Sequence, residues 1–409
     1  MNKKLMAVAV AGALAVPGVA FAQASSVTIS GIFKVGLESL NYSNTPAGVT
    51  RLNSSQMRVV DNSSRIIFNV TEDLGNSLSA VAQLDVRFAP DQASQVQTSN
   101  PIGSGNTWVG LSSTKWGRVT MGRHDLHYGI QSDDTAAKAG ALQASAISVF
   151  DYINGTAIAN GTRTQNVVRY DLPSMNGFNA VIAWSANPVG SSELDMLNTT
   201  AAIGQQSITP GAIPGSAAIG APLTAATVPS NGRKGDGWNI NPSYANGPFK
   251  IGYSYWRAKP DAPVATTNDQ RGDTVYGHYQ FGGFKIGLGW NRSKLENSTT
   301  GTKAFERDAW SVPMSYVWGP HNVVGHYTVA RNADNAAGTI ANSGAKMLSV
   351  AYVYDFSKRT SVGLTYSQLR NDSNASYNFF TTASLGSTDA VTVAGEKARL
   401  LQASIKHAF

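Results

Sequence analysis

Five basic side chains could act together electrostatically, because each belongs to a segment in which apolar and polar residues alternate. They are Lys34, Arg65, Arg87, Arg123 and Arg169. Four of them fall on the polar parity of their segment, and Arg123 closes its segment, where a bulge could change its direction. Cations gathered on one polar face would attract anions and orient dipolar solutes. Each arginine taken alone could equally be a solvated charge on a wet face.

Four aspartates occupy a long connection between two of these segments. Residues 125–163 carry Asp125, Asp133, Asp134 and Asp151, and connections of this length are usually functional. If this stretch folds back towards the basic side chains, its carboxylates face them and create a transverse field, which at close quarters selects among ions. If it stays outside, the aspartates are ordinary loop charges.

Other chemistry finds little support in the residues. His124 and His127 form an H-x-x-H pair, but no carboxylate at helical spacing accompanies them to complete a metal site. The sequence has no G-x-S-x-G, P-loop or dinucleotide fingerprint, and the absence of cysteine excludes disulfides and thiolate metal sites. The pI of about 9.4 could indicate nucleic-acid binding, but the basic residues are dispersed rather than clustered with aromatics. We therefore expect neither an enzyme nor a cofactor.

The segments that carry these residues have the period of β-strands. In "LSAVAQLDVRF", for example, Leu84, Val86 and Phe88 share one face, and Asp85 and Arg87 share the other. Sixteen such strands are predicted, at 26–41, 64–72, 77–88, 106–112, 118–124, 164–172, 178–187, 237–245, 248–259, 273–282, 283–296, 307–318, 321–334, 345–356, 359–372 and 398–409.

The connections between these strands alternate between short and long. The short ones are "EDLGN", "STKWG", "PSMNG", "NG", "GG", "GPH" and "SK", and nearly all the others are longer. A sheet threaded up and down through a bilayer sorts its loops in this way, whereas a secreted β-sandwich or solenoid has no reason to. Hydrocarbon requires every backbone group to be paired, so the first strand must pair with the last. The pattern predicts an all-β, sixteen-stranded antiparallel transmembrane β-barrel, which is wide enough to enclose an aqueous channel.

The ends and the composition agree with an exported barrel. "MNKK", a short apolar run and "AFA" before Gln23 are typical of a signal peptide over residues 1–22, leaving one barrel domain at 23–409. Charged residues make up only 14%, and no later apolar run reaches the length of a membrane helix. The low-complexity stretch 188–236 reads as a long external fourth loop. The alternation continues to Phe409, which we place in an interfacial aromatic belt.

The chain resembles the general trimeric porins of proteobacterial outer membranes, and most of all their betaproteobacterial branch. "SSVTISGIFKVGLESL", "SSRIIFNVTEDLGNSLSAVAQLDVRF", "NTWVGLSSTKWGRVTMGRHD", "NVVRYDLPSMNGF" and the final "ASIKHAF" carry the resemblance. It implies short periplasmic turns, long external loops, a third loop folded inward as a constriction, a homotrimer, and passive diffusion of small hydrophilic solutes. It also implies contact with lipid, including lipopolysaccharide, and with the barrel-insertion machinery, for which a terminal phenylalanine such as Phe409 resembles the signal.

The resemblance assigns constriction roles to Arg65, Arg123 and Arg169, whereas Lys34 and Arg87 rest on parity alone. The third loop lacks the Pro-Glu-Phe-Gly turn of the commonest pattern, so which aspartate faces the arginines is left open. We expect a weak preference for anions. A substrate-specific porin and a surface adhesin or receptor anchored by its barrel are the alternatives.

Overall fold

The computed structural model describes residues 25–48, 54–91, 103–127, 141–150, 152–153, 156–157, 163–186, 235–260, 268–379 and 393–409. The predicted signal peptide, nearly all of the predicted fourth loop, and Asp133, Asp134 and Asp151 lie outside these residues. Most of the described chain is β-strand, as the period-two alternation predicts. None of the helices in the described ranges is long and apolar enough to cross a membrane.

Sixteen barrel strands run through the described residues, which confirms the predicted number. In chain order they are β1 Ser25–Ser43, β2 Ser55–Asp61 continued by Arg65–Gly75, β3 Leu78–Arg87, β4 Thr107–Ser113, β5 Gly117–Asp125, β6 Arg163–Asp171, β7 Phe178–Ser185, β8 Asp236–Asn246, β9 Phe249–Lys259, β10 Asn268–Phe281, β11 Phe284–Asn297, β12 Lys303–Trp318, β13 His321–Ala330, β14 Ala345–Asp355, β15 Thr360–Asn371 and β16 Lys397–Ala408. The other described elements are two hairpins with two-residue strands, at 152–157 and 334–339, the 3-10 turn Leu142–Ala144 and the single-turn helix α1, Ile147–Phe150.

The largest difference from the predicted strands is at β2, which begins well before residue 64. The carboxylate of Asp61 accepts hydrogen bonds from the backbone N–H groups of Ser63 and Ser64, at 2.8 and 2.9 Å. Ser63 has a left-handed φ of 76°, and this local turn divides the strand in two. Because Asp61 bonds the backbone of the residues that follow it, the alternation is interrupted at this turn. The sequence therefore predicted a loop where β2 has its first segment.

The sheet closes on itself. Each strand pairs antiparallel with the next, and β1 pairs with β16 from Ile32 opposite Ala408 to Ser43 opposite Lys397. Two further backbone hydrogen bonds of 3.1 Å each join Gly31 and Phe409. The barrel therefore presents no open sheet edge, as a β-structure in hydrocarbon requires.

The connections are sorted between the two ends of the barrel, as predicted. Those at one end are short, at 76–77, 114–116, 172–177, 247–248, 282–283, 319–320 and 356–359. Those at the other end are 44–54, 88–106, 126–162, 186–235, 260–267, 298–302, 331–344 and 372–396. Only 298–302 is no longer than a turn. The predicted third loop, 125–163, is thus one residue shorter at each end.

The outer face of the barrel is apolar and the inner face is largely polar. In β16, Leu401 and Ile405 point outward and are 49% and 55% exposed, whereas Gln402 between them is buried inside. Ser349 of β14 and Thr365 of β15 are likewise buried on the inner face. This arrangement is the reverse of that in a soluble β-protein, and it matches a lipid-facing band around a wet interior.

Aromatic rings form part of a girdle at the short-turn end, from β10 to β14. Successive ring centroids lie 5.0–6.5 Å apart along one continuous series. Its members are Tyr279, Phe281, Phe284, Tyr316, Trp318, His321, Tyr354 and Phe356. Aromatic girdles mark the membrane–water interface of transmembrane barrels, so this series indicates the interface at the short-turn end.

Phe409 lies against the outer face where β1 meets β16. Its ring occupies the space that a side chain on Gly31 would need, since an added Cβ would lie 2.5 Å from the ring and 2.8 Å from the carbonyl oxygen of Arg65. The ring also lies 6.1 Å from that of Phe33. Because Gly31 has no side chain, the ring of Phe409 can pack against this part of β1.

Gly31→Val is expected to destabilise the closed barrel by about 1–3 kcal/mol, because the new side chain displaces the Phe409 ring and presses on backbone. The measurement is the temperature at which the folded barrel converts to the slower-migrating unfolded form in a gel. Gly363→Ala is the control, because its added Cβ meets nothing closer than Ser404 Oγ at 3.3 Å. Equal midpoints for the two variants would contradict the role given to Gly31.

Candidate functional site

Arg65 and Arg87 face each other across the inner wall. The register of β2 and β3 places them directly opposite one another, on the parity that points into the barrel. Directly opposed like charges in a sheet repel. The pairing of Arg65 with Arg87 therefore destabilises the sheet locally. Nearby negative charge or a passing anion would offset this repulsion.

Two of the predicted arginines have aspartate partners on the same strand. Arg87 bonds to Asp85 at 3.0 Å and Arg169 bonds to Asp171 at 2.6 Å. Residues two apart in a strand point to the same face. Asp85 and Asp171 therefore lie in the site beside the arginines of their D-x-R and R-x-D patterns. The sequence reasoning did not assign them a role, although the spacing of two could have revealed both.

Arg123 joins this cluster through an irregularity in β5. The register between β5 and β6 shifts between Gly122 and His124, which is the kind of bulge the sequence left open. The Arg123 guanidinium lies close enough to Asp125 and Arg87 for electrostatic interaction. Arg123 therefore belongs to the inner wall.

Asp125 is the last residue of β5 and lies on the wall, so it is not an acid of the inserted loop. It is opposite Arg163 of β6, and its carboxylate accepts a hydrogen bond of 2.8 Å from Asn106. The backbone carbonyl of Asp125 accepts another from Arg169, at 3.3 Å. Arg163, placed by the sequence in the third loop, thus becomes a further cation of this wall.

The arginine cluster, as we name it, is continuous over β2, β3, β5 and β6. Arg118 of β5 extends it by an ion pair of 3.3 Å with Asp171. The described members are Arg65, Arg87, Arg118, Arg123, Arg163 and Arg169 with Asp85, Asp125 and Asp171. Six arginines against three aspartates leave this part of the wall positive.

Lys34 lies beside the cluster at the seam of the barrel. It is opposite Lys406 of β16. It is also close enough to Arg65 and Asp61 to interact with them electrostatically. Further along β1, the buried Glu38 forms an ion pair of 2.7 Å with Arg58 of β2. Arg58 falls in the part of β2 that the sequence took for a loop, so it was not among the predicted wall residues.

The described part of the third loop lies inside the barrel. Ala141 and residues 144–150 are buried and Leu142 is partly buried, whereas nothing is described of the side chain of Gln143. Helix α1 packs on the inner faces of β12, β13 and β14. In a barrel of sixteen strands these lie about half a circumference from β5 and β6. The inserted segment and the arginine cluster therefore occupy opposite sides of the interior.

Hydrogen bonds with residues of β12, of β13 and of the break in β2 hold this segment. Arg307 of β12 donates to the backbone carbonyls of Val149, at 3.0 Å, and Phe150, at 3.1 Å. His326 of β13 lies 2.8 Å from the carbonyl of Ala144, and Asn62 accepts from the N–H of Leu142 at 2.9 Å. Arg307 is buried and is well placed to bond the last carbonyls of the short helix. No motif or spacing in the sequence indicated this role of Arg307.

The eighth long connection, 372–396, which we call the eighth loop, also turns inward over its described part. Tyr377 and Phe379 are buried with Phe150 and Val149 in one apolar cluster. Asn371 holds this turn by bonding both the N–H and the carbonyl of Tyr377, at 2.9 and 2.8 Å. The two loops together narrow the barrel at its long-loop end.

The two histidines of the H-x-x-H pair have separate surroundings. His124 bonds to Thr120 at 3.1 Å and stacks on Trp108, whereas His127 lies 2.8 Å from Ser254 Oγ and beside Trp256. No group of three potential metal ligands occurs among the described residues. His127 anchors the start of the third loop to β9.

Docking of the third loop is expected to weaken in acid. Complete burial lowers the pKa of His127 to about 3. In the released loop the imidazole of His127 has the ordinary pKa of about 6.5. It therefore binds a proton at a pH at which the docked loop does not. The contribution of neutral, buried His127 to loop docking is therefore fully present above pH 6.5 and is lost as the pH falls towards 3. At pH 4 the loss in docking free energy is about 3 kcal/mol.

The measurement is the thermal midpoint of the protein between pH 7 and pH 4. His127→Asn is the matched variant, because its amide can bond Ser254 without titrating. We expect the midpoint of the wild type to fall more steeply than that of the variant. Parallel curves would show that His127 does not couple the loop to pH.

A closed barrel with a lipid-facing apolar band, a charged interior and an inserted loop defines a channel-forming outer-membrane protein. The chain belongs to the Gram-negative porin family, whose sequence profile matches residues 7–374. It is thus an outer-membrane channel for passive diffusion, and family and fold point to a channel rather than an enzyme. The short turns are periplasmic and the long loops external.

Individual relatives agree with this assignment. The chain is 26% identical to an outer membrane porin protein of Bordetella pertussis, over 88% of this chain and 92% of that protein. The anion-selective porin from Comamonas acidovorans has the same fold, with a TM-score of 0.67 and 22% identity over 94% of this chain and all of that one. OmpT of Vibrio cholerae, solved in a trimer form, matches with a TM-score of 0.63 and 12% identity over the same shares.

Proposed function

We propose that this porin is a diffusion channel with a weak preference for anions. The observation that carries the proposal is the excess of arginine over aspartate in the arginine cluster. Fixed positive charge beside a narrow passage raises the local concentration of anions and lowers that of cations. The anion selectivity stated for the Comamonas porin supports the same direction.

The residues contribute to different degrees in this proposal. Arg65 and Arg123 supply most of the uncompensated charge, because Arg87 and Arg169 are paired with aspartates. Lys34 and Arg163 add to it at the two sides of the cluster. The inserted third loop supplies the opposite wall of the constriction. Asp133, Asp134 and Asp151, which lie outside the described residues, are proposed as acids of that loop.

The test is the reversal potential of the purified protein in a planar bilayer under a potassium chloride gradient. We expect a potential with the sign of chloride preference and a chloride-to-potassium permeability ratio above one. A clear cation preference would overturn the proposal. A saturable flux of one solute would favour a substrate-specific porin instead.

The proposal extends to the export, assembly and membrane surroundings of the barrel. We propose export by a signal peptide at residues 1–22, insertion by the barrel-insertion machinery with Phe409 as part of its signal, a homotrimer, and contact with lipopolysaccharide. The trimer form of the Vibrio protein supports the oligomer. Closure of single channels in three equal steps would agree with a trimer, and closure in one step would contradict it.

A further inference from the structure

A chain of buried hydrogen bonds crosses the seam of the barrel, where β1 meets β16. On β1, Glu38 is directly opposite Arg58 of β2 on one side and Gln402 of β16 on the other. One carboxylate oxygen of Glu38 accepts from Nε and Nη2 of Arg58, at 2.8 and 2.7 Å, and the other accepts from the Gln402 amide at 3.1 Å. Glu38 and Gln402 are fully buried. This carboxylate therefore ties the first, second and last strands together.

The chain of hydrogen bonds continues from the last strand to the third loop. Oε1 of Gln402 accepts a hydrogen bond of 3.0 Å from Nδ2 of Asn62 in the break of β2. Oδ1 of Asn62 accepts one of 2.9 Å from the backbone N–H of Leu142 in the inserted segment. We name the side chains of Arg58, Glu38, Gln402 and Asn62 the seam relay. The seam relay connects the strand that closes the barrel with the loop that narrows it.

Two features of the neighbouring strands make room for the seam relay. An added Cβ on Gly36 of β1 would lie 2.5 Å from the side chain of Gln402, so the Gln402 amide can cross β1 because Gly36 has none. In β2, Val60 and Asn62 are buried on the inner side two residues apart, whereas Arg65 points inward three residues after Asn62. The break therefore changes the parity that faces the lumen. A continuous strand would not present both Asn62 to the loop and Arg65 to the arginine cluster.

The carboxylate of Glu38 fixes the direction of the amides in the seam relay. A carboxylate only accepts, so Gln402 turns its NH2 group to Glu38 and its oxygen to Asn62. Asn62 then turns its NH2 group to Gln402 and its oxygen to the loop, where the N–H of Leu142 requires an acceptor. Reversing either amide would set two donors or two acceptors against each other in a buried site, which is destabilising.

We propose that Gln402 is a positioning residue for the constriction, acting through Asn62. By orienting the Asn62 amide it presents the acceptor on which the third loop docks. Because Gln402 belongs to the last strand, this acceptor is set only once β16 has paired with β1. The third loop therefore takes its constricting position after the barrel has closed. The proposal concerns the position of the loop and does not rest on the ion preference proposed above.

The test follows a single thiol on the third loop of the full-length protein folded in detergent. The chain has no cysteine, so Ser145→Cys, a one-atom exchange at a residue that is 6% exposed, supplies one thiol at a buried position of the inserted segment. The rate at which a charged, water-soluble reagent labels this thiol is proportional to the fraction of protein in which the loop is released. All further variants are made in this parent.

Gln402→Met removes both hydrogen bonds of Gln402 in the seam relay at similar side-chain volume. We expect labelling about tenfold faster than in the parent, because the Asn62 amide is no longer oriented. Ser367→Ala is the matched control. It removes a buried hydrogen bond of 2.6 Å between Ser349 and Ser367, which joins β14 to β15 and includes no residue of the seam relay or the third loop. Its labelling rate should stay within about twofold of the parent.

A pair of substitutions tests the polarity of the seam relay. Asn62→Asp keeps an acceptor for Leu142 but sets a carboxylate oxygen against the oxygen of Gln402. Glu38→Gln removes the group that only accepts, and one contact in the relay is mismatched. In the double variant the carboxylate has moved to the other end, so Gln402 turns round and each donor again meets an acceptor. Each single variant should label about tenfold faster than the parent, and the double variant should return to within about threefold of it.

Gel mobility of the closed form is recorded for every variant, so that labelling is compared between closed barrels. Equal labelling of Gln402→Met and Ser367→Ala would overturn the proposal. So would a closed double variant that labels as fast as its two single variants, since lost packing rather than polarity would then release the loop. If Gln402→Met does not close, the polarity pair decides alone.

The order of events is tested during refolding of the Ser145→Cys parent from urea into detergent. Short pulses of the thiol reagent report protection of the loop, and gel mobility reports closure of the barrel at the same times. We expect protection to appear with closure or after it. Protection that precedes closure would show that the third loop docks without the seam.

Discussion

Replacing Arg65 and Arg123 by glutamate is expected to turn the channel from anion-preferring to cation-preferring. These two are chosen because neither forms an ion pair with a described carboxylate, whereas Arg87 and Arg169 are held by Asp85 and Asp171. Six arginines and three aspartates in the cluster become four arginines and five carboxylates. We expect the anion-to-cation permeability ratio to fall by about tenfold.

The matched control is Arg257→Glu with Lys259→Glu. Both residues lie on the outward parity of β9, because Trp256 and Ala258, which alternate with them along the strand, are buried inside. The same change of charge outside the lumen should move the reversal potential little. If both double variants shift the potential equally, net charge rather than the inner wall sets the selectivity. If neither shifts it, the arginine cluster does not line the path of ions.

Arg307→Ala is expected to release the inserted segment of the third loop and to raise single-channel conductance. The guanidinium is buried and donates to two carbonyls at the end of α1. Bonds from a charged donor contribute about 1.5–3 kcal/mol each, and the carbonyls left behind would be buried without this donor. A loss of about 3 kcal/mol lowers the docked fraction relative to the released one by roughly a hundredfold. We expect larger and noisier currents, while the barrel itself stays closed.

Arg292→Ala is the control for this variant. Arg292 lies on the neighbouring strand β11 and forms an ion pair of 2.8 Å with Asp308 on the outer face. Its loss should leave conductance unchanged. A quiet Arg307→Ala channel of normal conductance would show that His326 and Asn62 hold the loop without Arg307.

Much of the site was predictable because a β-strand has a strict period of two. Once the apolar parity was assigned to lipid, Lys34, Arg65, Arg87 and Arg169 had to share the opposite face. The same rule could have added Asp85 and Asp171. Asp125 was read as a loop acid because the strand boundary fell one residue from its predicted place, and a boundary of that kind depends on pairing with Arg163.

The sequence by itself determined the sixteen strands, the sorting of their connections and the two faces of the barrel. These follow from local alternation and from the requirement that hydrocarbon leaves no backbone group unpaired. Only the tertiary structure decided the path of the third and eighth loops and the anchoring role of Arg307. Each of these depends on contacts between residues far apart in the chain, which no local period records.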